Sequence, residues 1–209
     1  MNSSKIAEDL LKIKAVTLQL DPPYTWSSGW RSPIYCDNRL TLSYPEVRKN
    51  ITANFVEQLR RKYPDADGIV GVATGAIALG AMVATALDLP MIYIRSKPKG
   101  HGMKKLIEGH VNPQGKYVII EDLVSTGKSS IQAVKAVQES GATVLGTIAI
   151  FSYGFPQADE KFQATGTAYH SLTNLSTLLE KATEIDYLRP EDRATILSWQ
   201  QQPETWRQE

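Results

Sequence analysis

The chain has 209 residues, with 23 lysines and arginines against 22 aspartates and glutamates, for a net charge of +1. That near balance gives no long-range attraction for nucleic acid or an anionic membrane, and the length suits a single α/β domain, residues 1–209, with a proper core. One cysteine, Cys36, excludes an internal disulfide framework and fits a reducing compartment. The N-terminal segment carries acids and lacks the apolar run of a signal peptide, and no stretch approaches the roughly 20 apolar residues of a membrane span. A cytoplasmic protein with neither membrane nor nucleic-acid partners is expected.

Ile6, Leu10, Ile13 and Val16 recur at helical spacing and predict an amphipathic helix over 4–19. Residues 20–40 precede the regular pattern and read as a small strand-bearing hood. Pro45 stands at a favourable first-turn position for a helix over 45–62. A strand over 67–73, a helix over 75–87 and a strand over 91–95 follow. Pro98, Gly100 and Gly102 argue against regular structure in 95–105, which reads as a mobile lid. The run from Tyr117 to Ile120 predicts a strand over 116–121. Ile131, Val134, Ala136 and Val137 predict a helix over 128–139, with another strand over 142–151. Residues 156–200 are expected to add helices around a short strand near 166–170. Alternating strands and helices predict a central parallel sheet with helices on its faces.

The most informative stretch runs from Lys116 to Ser130. Its apolar strand is followed by two carboxylates, Glu121 and Asp122, then by Leu123, Val124, Ser125, Thr126, Gly127, Lys128 and Ser129 at a helix start. Ligands of open α/β sheets sit outside the carboxyl ends of strands, and a helix N-terminus offers free N–H groups to a phosphate. Carboxylates beside a phosphate cradle would repel phosphate but accept hydrogen bonds from sugar hydroxyls. The combination points to a phosphorylated sugar. Gly127-Lys128-Ser129 also resembles the end of a nucleotide-binding P-loop, but that motif needs glycine where Asp122 stands. An ordinary capped strand–turn–helix accounts for the hydroxyls and leaves the paired acids unexplained.

Three further segments are informative. The turn Ala73-Thr74-Gly75 would let a ligand approach the backbone closely, although such a turn serves equally well for packing alone. Residues 95–105 carry Arg95, Lys97, Lys99, Lys104 and Lys105 with no acid, either a solvated charge run or a lid that neutralises a departing anion. Residues 24–39 hold aromatics, Ser28-Gly29, Ser32-Pro33, Tyr35, Asp37 and Arg39. They suit a cover over a flat anionic ring, or a cap in which Asp37 and Arg39 simply pair.

The Glu121–Ser129 stretch resembles the ribosyl-phosphate motif of the type I phosphoribosyltransferases, which use 5-phosphoribosyl 1-diphosphate. The resemblance implies that Glu121 and Asp122 hold the ribose hydroxyls and that Ser125 to Ser129 wrap the 5′-phosphate. It also implies that Ala73, Thr74 and Gly75 contact the diphosphate. The spacing Arg95, Lys99, His101-Gly102, with Leu106-Ile107-Glu108-Gly109 and the pattern Ser-Gly-x-x-Ser-Pro-x-Tyr-x-Asp-x-Arg from Ser28 to Arg39, is similar to the orotate phosphoribosyltransferase family. That family implies transfer of the phosphoribosyl group to orotate in pyrimidine biosynthesis, with Arg95, Lys99 and His101 as the catalytic lid groups on the diphosphate. It further implies Ser125 and Arg39 on orotate, magnesium held mainly by substrate and water, and a homodimer whose lid is shared across the interface. The chain departs from the family at Lys128, at Ser96 and Ser27 where lysines often stand, and at Phe151-Ser152-Tyr153-Gly154, where the enteric branch has an orotate-contacting arginine. A purine phosphoribosyltransferase and a non-catalytic regulator on the same fold are the alternatives.

Overall fold

The computed structural model describes residues 2–97 and 106–207. Asn2 caps α1 (Ser3–Lys12) by accepting the Lys5 N–H at 2.9 Å. The helix does not run on to residue 19 as its spacing predicts. The chain turns at Lys14, whose φ is 57°, and the β-branched pair Val16-Thr17 enters β1 (Val16–Leu18). β2 (Tyr24–Thr25), β3 (Arg31–Ser32) and β4 (Ile34–Cys36) complete the hood, β1 pairing with β4 and β2 with β3, all antiparallel. A 3-10 helix over Asn38–Ser43 then leads into α2 (Pro45–Lys62), which starts at the proline as expected.

β5 (Gly68–Val72), α3 (Ile77–Leu87), β6 (Met91–Ile94), β7 (Ile107–Glu108), β8 (Lys116–Val124), α4 (Lys128–Glu139) and β9 (Thr143–Ser152) follow. The chain closes with α5 (Pro156–Ala164), β10 (Tyr169–Asn174), α6 (Leu175–Glu184) and α7 (Pro190–Gln201). The last strand begins three residues later than expected because Gly166, at φ 68°, makes the turn out of α5. Six strands form one sheet in the order β10-β9-β8-β5-β6-β7. Its pairings are parallel except for β7, which runs antiparallel to β6 at the edge. No described helix is long and apolar enough to cross a membrane.

Helices cover both faces of the sheet, and the pleat of β8 distributes its side chains between them. Val118 and Ile120 join Leu79 of α3, Ile34 of the hood and Leu178 of α6 in one buried cluster. Tyr117 and Ile119 join Ala133, Val134 and Val137 of α4 in the other. The hood is fastened to the far end of the chain: Trp199 of α7 donates from Nε1 to the Arg31 carbonyl at 3.1 Å, and its ring meets Trp26 edge-on at 5.6 Å.

Candidate functional site

The acids lie within β8 rather than after it, since the strand continues to Val124. The alternation that divides the core therefore divides them too. Glu121 continues the Tyr117-Ile119 row towards α4, where its Oε2 accepts from Ser129 Oγ at 3.1 Å and Ser130 Oγ at 3.0 Å. It is 3% exposed, and burial together with the neighbouring charge of Asp122 pushes its carboxyl well above the ordinary glutamate range. Glu121 thus ties the first turn of α4 to the strand. Asp122 continues the other row, facing α3 and the hood. Its carbonyl accepts from Asn38 Nδ2 at 2.7 Å, and its Oδ1 accepts the Leu123 N–H at 2.8 Å.

A cavity of about 330 Å³ opens at the carboxyl ends of β5, β6 and β8. Ala73, Arg95 and Asp122 stand on its walls, and Leu123 to Ser129 form its floor. Gly127, at φ 74°, precedes α4 in the left-handed conformation that glycine adopts freely, so the loop can turn its N–H groups inward. Lys161 of α5 donates to the Thr126 carbonyl at 2.8 Å and steadies the loop from outside. Arg95 is held at the rim by an ion pair with Glu108 of β7 at 3.3 Å. The Ala73–Thr74 peptide bond is cis. Thr74 and Gly75 lie just beyond the cavity wall, and Gly75 packs against Asp122. Oxygen donors, a helix N-terminus and an arginine around one space suit a phosphorylated sugar with a second anionic group.

A second cavity, about 630 Å³, lies between the hood and the ends of β8 and β9. Trp26, Tyr35, Cys36 and Tyr153 wall it, with the Ser27-Ser28 turn at its mouth. Leu123, Ser125 and Thr126 line both cavities. A larger concavity, about 810 Å³, lies elsewhere, between α2 and α3. Its lining includes Arg48, Val56, Arg60 and Met82 but neither paired acids nor a helix N-terminus, so the chemistry favours the two smaller spaces.

Most of the residues selected from the sequence thus converge at one place. Glu121 and Arg39 do not: neither lines either cavity, the Glu121 carboxyl being bonded to Ser129 and Ser130 on the α4 side and the Arg39 guanidinium making two bonds to Asp37, at 2.7 and 2.8 Å. Lys99 and His101 lie outside the described residues. Ser125 and the 24–39 segment, read as a cover over a flat ring, do line the second cavity; the place of Tyr153 in its wall went unassigned in the sequence. Trp26 and Tyr153 are far apart along the chain, and only the hood folding over β9 brings their rings within 5.1 Å.

The Phosphoribosyl transferase domain family model matches residues 45–169. The orotate phosphoribosyltransferase of Cytophaga hutchinsonii is 47% identical over 208 residues, covering 99% of this chain and 100% of that relative. The one from Listeria monocytogenes is 46% identical over 202 residues, 97% of each chain. Among solved structures, orotate phosphoribosyltransferase from Aeropyrum pernix superposes with a TM-score of 0.76 at 29% identity, covering 86% of this chain and 98% of that one. The mostly parallel sheet, the acid-bearing strand that ends in a phosphate-type loop, and these full-length likenesses agree: the chain belongs to the orotate phosphoribosyltransferase family and has the type I phosphoribosyltransferase fold.

Proposed function

We propose that the chain transfers the phosphoribosyl group of 5-phosphoribosyl 1-diphosphate to orotate, giving orotidine 5′-monophosphate and diphosphate. The observation that carries this reading is the wall common to both cavities, formed by Leu123, Ser125 and Thr126. A sugar phosphate in the first space would present its C1 to a flat ring in the second. As orotate N1 bonds to C1 and releases its proton to water or to the departing group, the C1–oxygen bond to diphosphate breaks and its electron pair leaves with the diphosphate. Such a reaction needs orientation and charge neutralisation, not a protein nucleophile.

The residue roles follow from position. N–H groups at the Thr126–Ser129 turn receive the 5′-phosphate, and the Asp122 carboxylate accepts from the ribose hydroxyls. Because the Ser129 hydroxyl is committed to Glu121, its contribution to phosphate comes from the backbone. Ala73, Thr74 and Gly75 meet the diphosphate through backbone groups, with Arg95 opposite. Lys99 and His101, by family resemblance, close over the departing group. Magnesium suits this donor set as an ion carried by substrate: Asp122 offers a carboxylate at the wall, and no cluster of three His, Cys, Asp or Glu side chains occurs among the described residues. When bound, it would supply positive charge beside the diphosphate. The same resemblance supports a cytoplasmic homodimer in which the lid of one protomer completes the site of the other.

The test is loss of orotate ultraviolet absorbance on mixing protein, 5-phosphoribosyl 1-diphosphate and magnesium. Loss that requires every component is the expected result. No loss, from folded protein with an active control enzyme run alongside, would overturn the reading.

A further inference from the structure

We propose that Tyr153 reads the base, its phenol O–H donating a hydrogen bond to an acceptor oxygen of the bound pyrimidine. The inference rests on orotate being the substrate. Tyr153 directly follows β9 and is only 3% exposed, yet it lines the cavity between the hood and the sheet. Its backbone is fixed at both ends of the residue. The N–H donates to the Val124 carbonyl at 3.0 Å, and the carbonyl accepts from Gln200 Nε2 at 2.6 Å. Its ring is stacked on Phe155 at 5.5 Å and meets Phe151 edge-on at 5.1 Å. These aromatic neighbours hold the ring and offer its hydroxyl no strong acceptor.

Among the described residues the Tyr153 hydroxyl indeed has no hydrogen-bond partner, although the backbone groups of the same residue are satisfied. Tyr153 lines the cavity, so a ligand bound there can supply that partner. Burial first, then the nearby Cys36, Asp122 and Tyr35, pushes the phenol well above its ordinary range, so it stays a donor at neutral pH. No lysine, arginine, aspartate or glutamate is among the lining residues of this cavity. An anionic ring there depends on neutral donors for its orientation, and Tyr153 is a firmly held one.

Tyr153→Phe removes the oxygen and keeps the ring. The expected result is a rise of about tenfold in KM for orotate, the size expected for a lost hydrogen bond to a charged ligand. KM for 5-phosphoribosyl 1-diphosphate and the melting temperature should not change. An unchanged orotate KM would overturn the inference. So would an equal rise for both substrates accompanied by a lower melting temperature, which would mark the hydroxyl as part of the packing. Wild-type protein inert towards orotate would remove the functional reading and this inference together, whereas a normal wild type beside an unaffected variant would remove only the inference.

Discussion

A Cβ added to Gly75 would sit 2.1 Å from Oδ2 of Asp122. The turn that follows β5 and the acid of β8 therefore close on each other with space for a hydrogen and nothing larger. The contact joins the proposed diphosphate side of the cavity to its ribose side. Gly75→Ala must displace either the turn or the carboxylate. Overpacking of this kind costs roughly 1–3 kcal/mol, and the displaced Asp122 would lose its hold on the ribose hydroxyls. Chemical denaturation should show that loss of stability. Steady-state kinetics should show kcat/KM for 5-phosphoribosyl 1-diphosphate falling at least about tenfold. Normal kinetics in the alanine variant would separate the turn from the site.

Much of this site was legible in the sequence because its parts are local. The hydroxyl loop, the glycine before α4 and the strand ahead of them are contiguous, so type and order suffice to place them. The start of α2 could be read from Pro45 for the same reason. What escaped depends on contacts between distant segments. The first helix stops at Lys12 because Val16 and Thr17 are claimed by pairing with β4, twenty residues on. Sequence spacing marks Glu121 and Asp122 as a pair, yet the pleat sends them to opposite faces and gives one to Ser129 and Ser130. Arg39, an orotate contact by its signature, instead forms the pair with Asp37 that the sequence also offered. The base cavity exists only after Trp26, Tyr153 and Trp199 have assembled from three regions of the chain.

Close packing far from the site gives a contrasting prediction. A Cβ on Gly146, in the first half of β9, would lie 2.1 Å from the Tyr63 hydroxyl oxygen and 2.6 Å from its Cζ. That hydroxyl is buried without a hydrogen-bond partner among the described residues. Gly146→Ala should cost roughly 1–3 kcal/mol in urea denaturation, with activity per folded molecule intact. Tyr63→Phe deletes an oxygen that bonds to nothing, so its unfolding free energy should stay within about 0.5 kcal/mol of wild type or rise slightly. A large loss in the phenylalanine variant would reveal a partner for the hydroxyl.

The buried Glu121 gives a pH prediction of definite sign. Its carboxyl is raised in the folded protein, chiefly by burial and then by Asp122. The neutral form is therefore favoured on folding. Its stabilising contribution is complete below the ordinary carboxylate range and is lost as pH rises through the raised folded value. Glu121→Gln removes this titration while leaving a group able to bond Ser129 and Ser130. The stability of wild type relative to the variant should fall as pH rises from about 4, the ordinary glutamate range, by at most about 1.4 kcal/mol per pH unit. Denaturation midpoints measured across that rise supply the check. A difference that grows with pH would mean that the carboxylate is stabilised in its charged form.

The shared-lid dimer can be tested through two variants that fail for different reasons. Asp122→Asn should weaken use of 5-phosphoribosyl 1-diphosphate more than binding of orotate, because the carboxylate faces the sugar cavity. Lys99→Ala should lower turnover sharply and leave stability nearly unchanged, since a lid lysine contributes little packing. If each site takes its lid from the partner, a mixed dimer places both substitutions in one site and leaves the other intact. Unfolding and refolding the two variants together should then restore activity that neither has alone, in proportion to the mixed dimer formed. If lid and Asp122 served the same site within one protomer, every site in the mixture would carry one defect, and no activity would return. Gel filtration that finds a fully active monomer would exclude the shared arrangement outright.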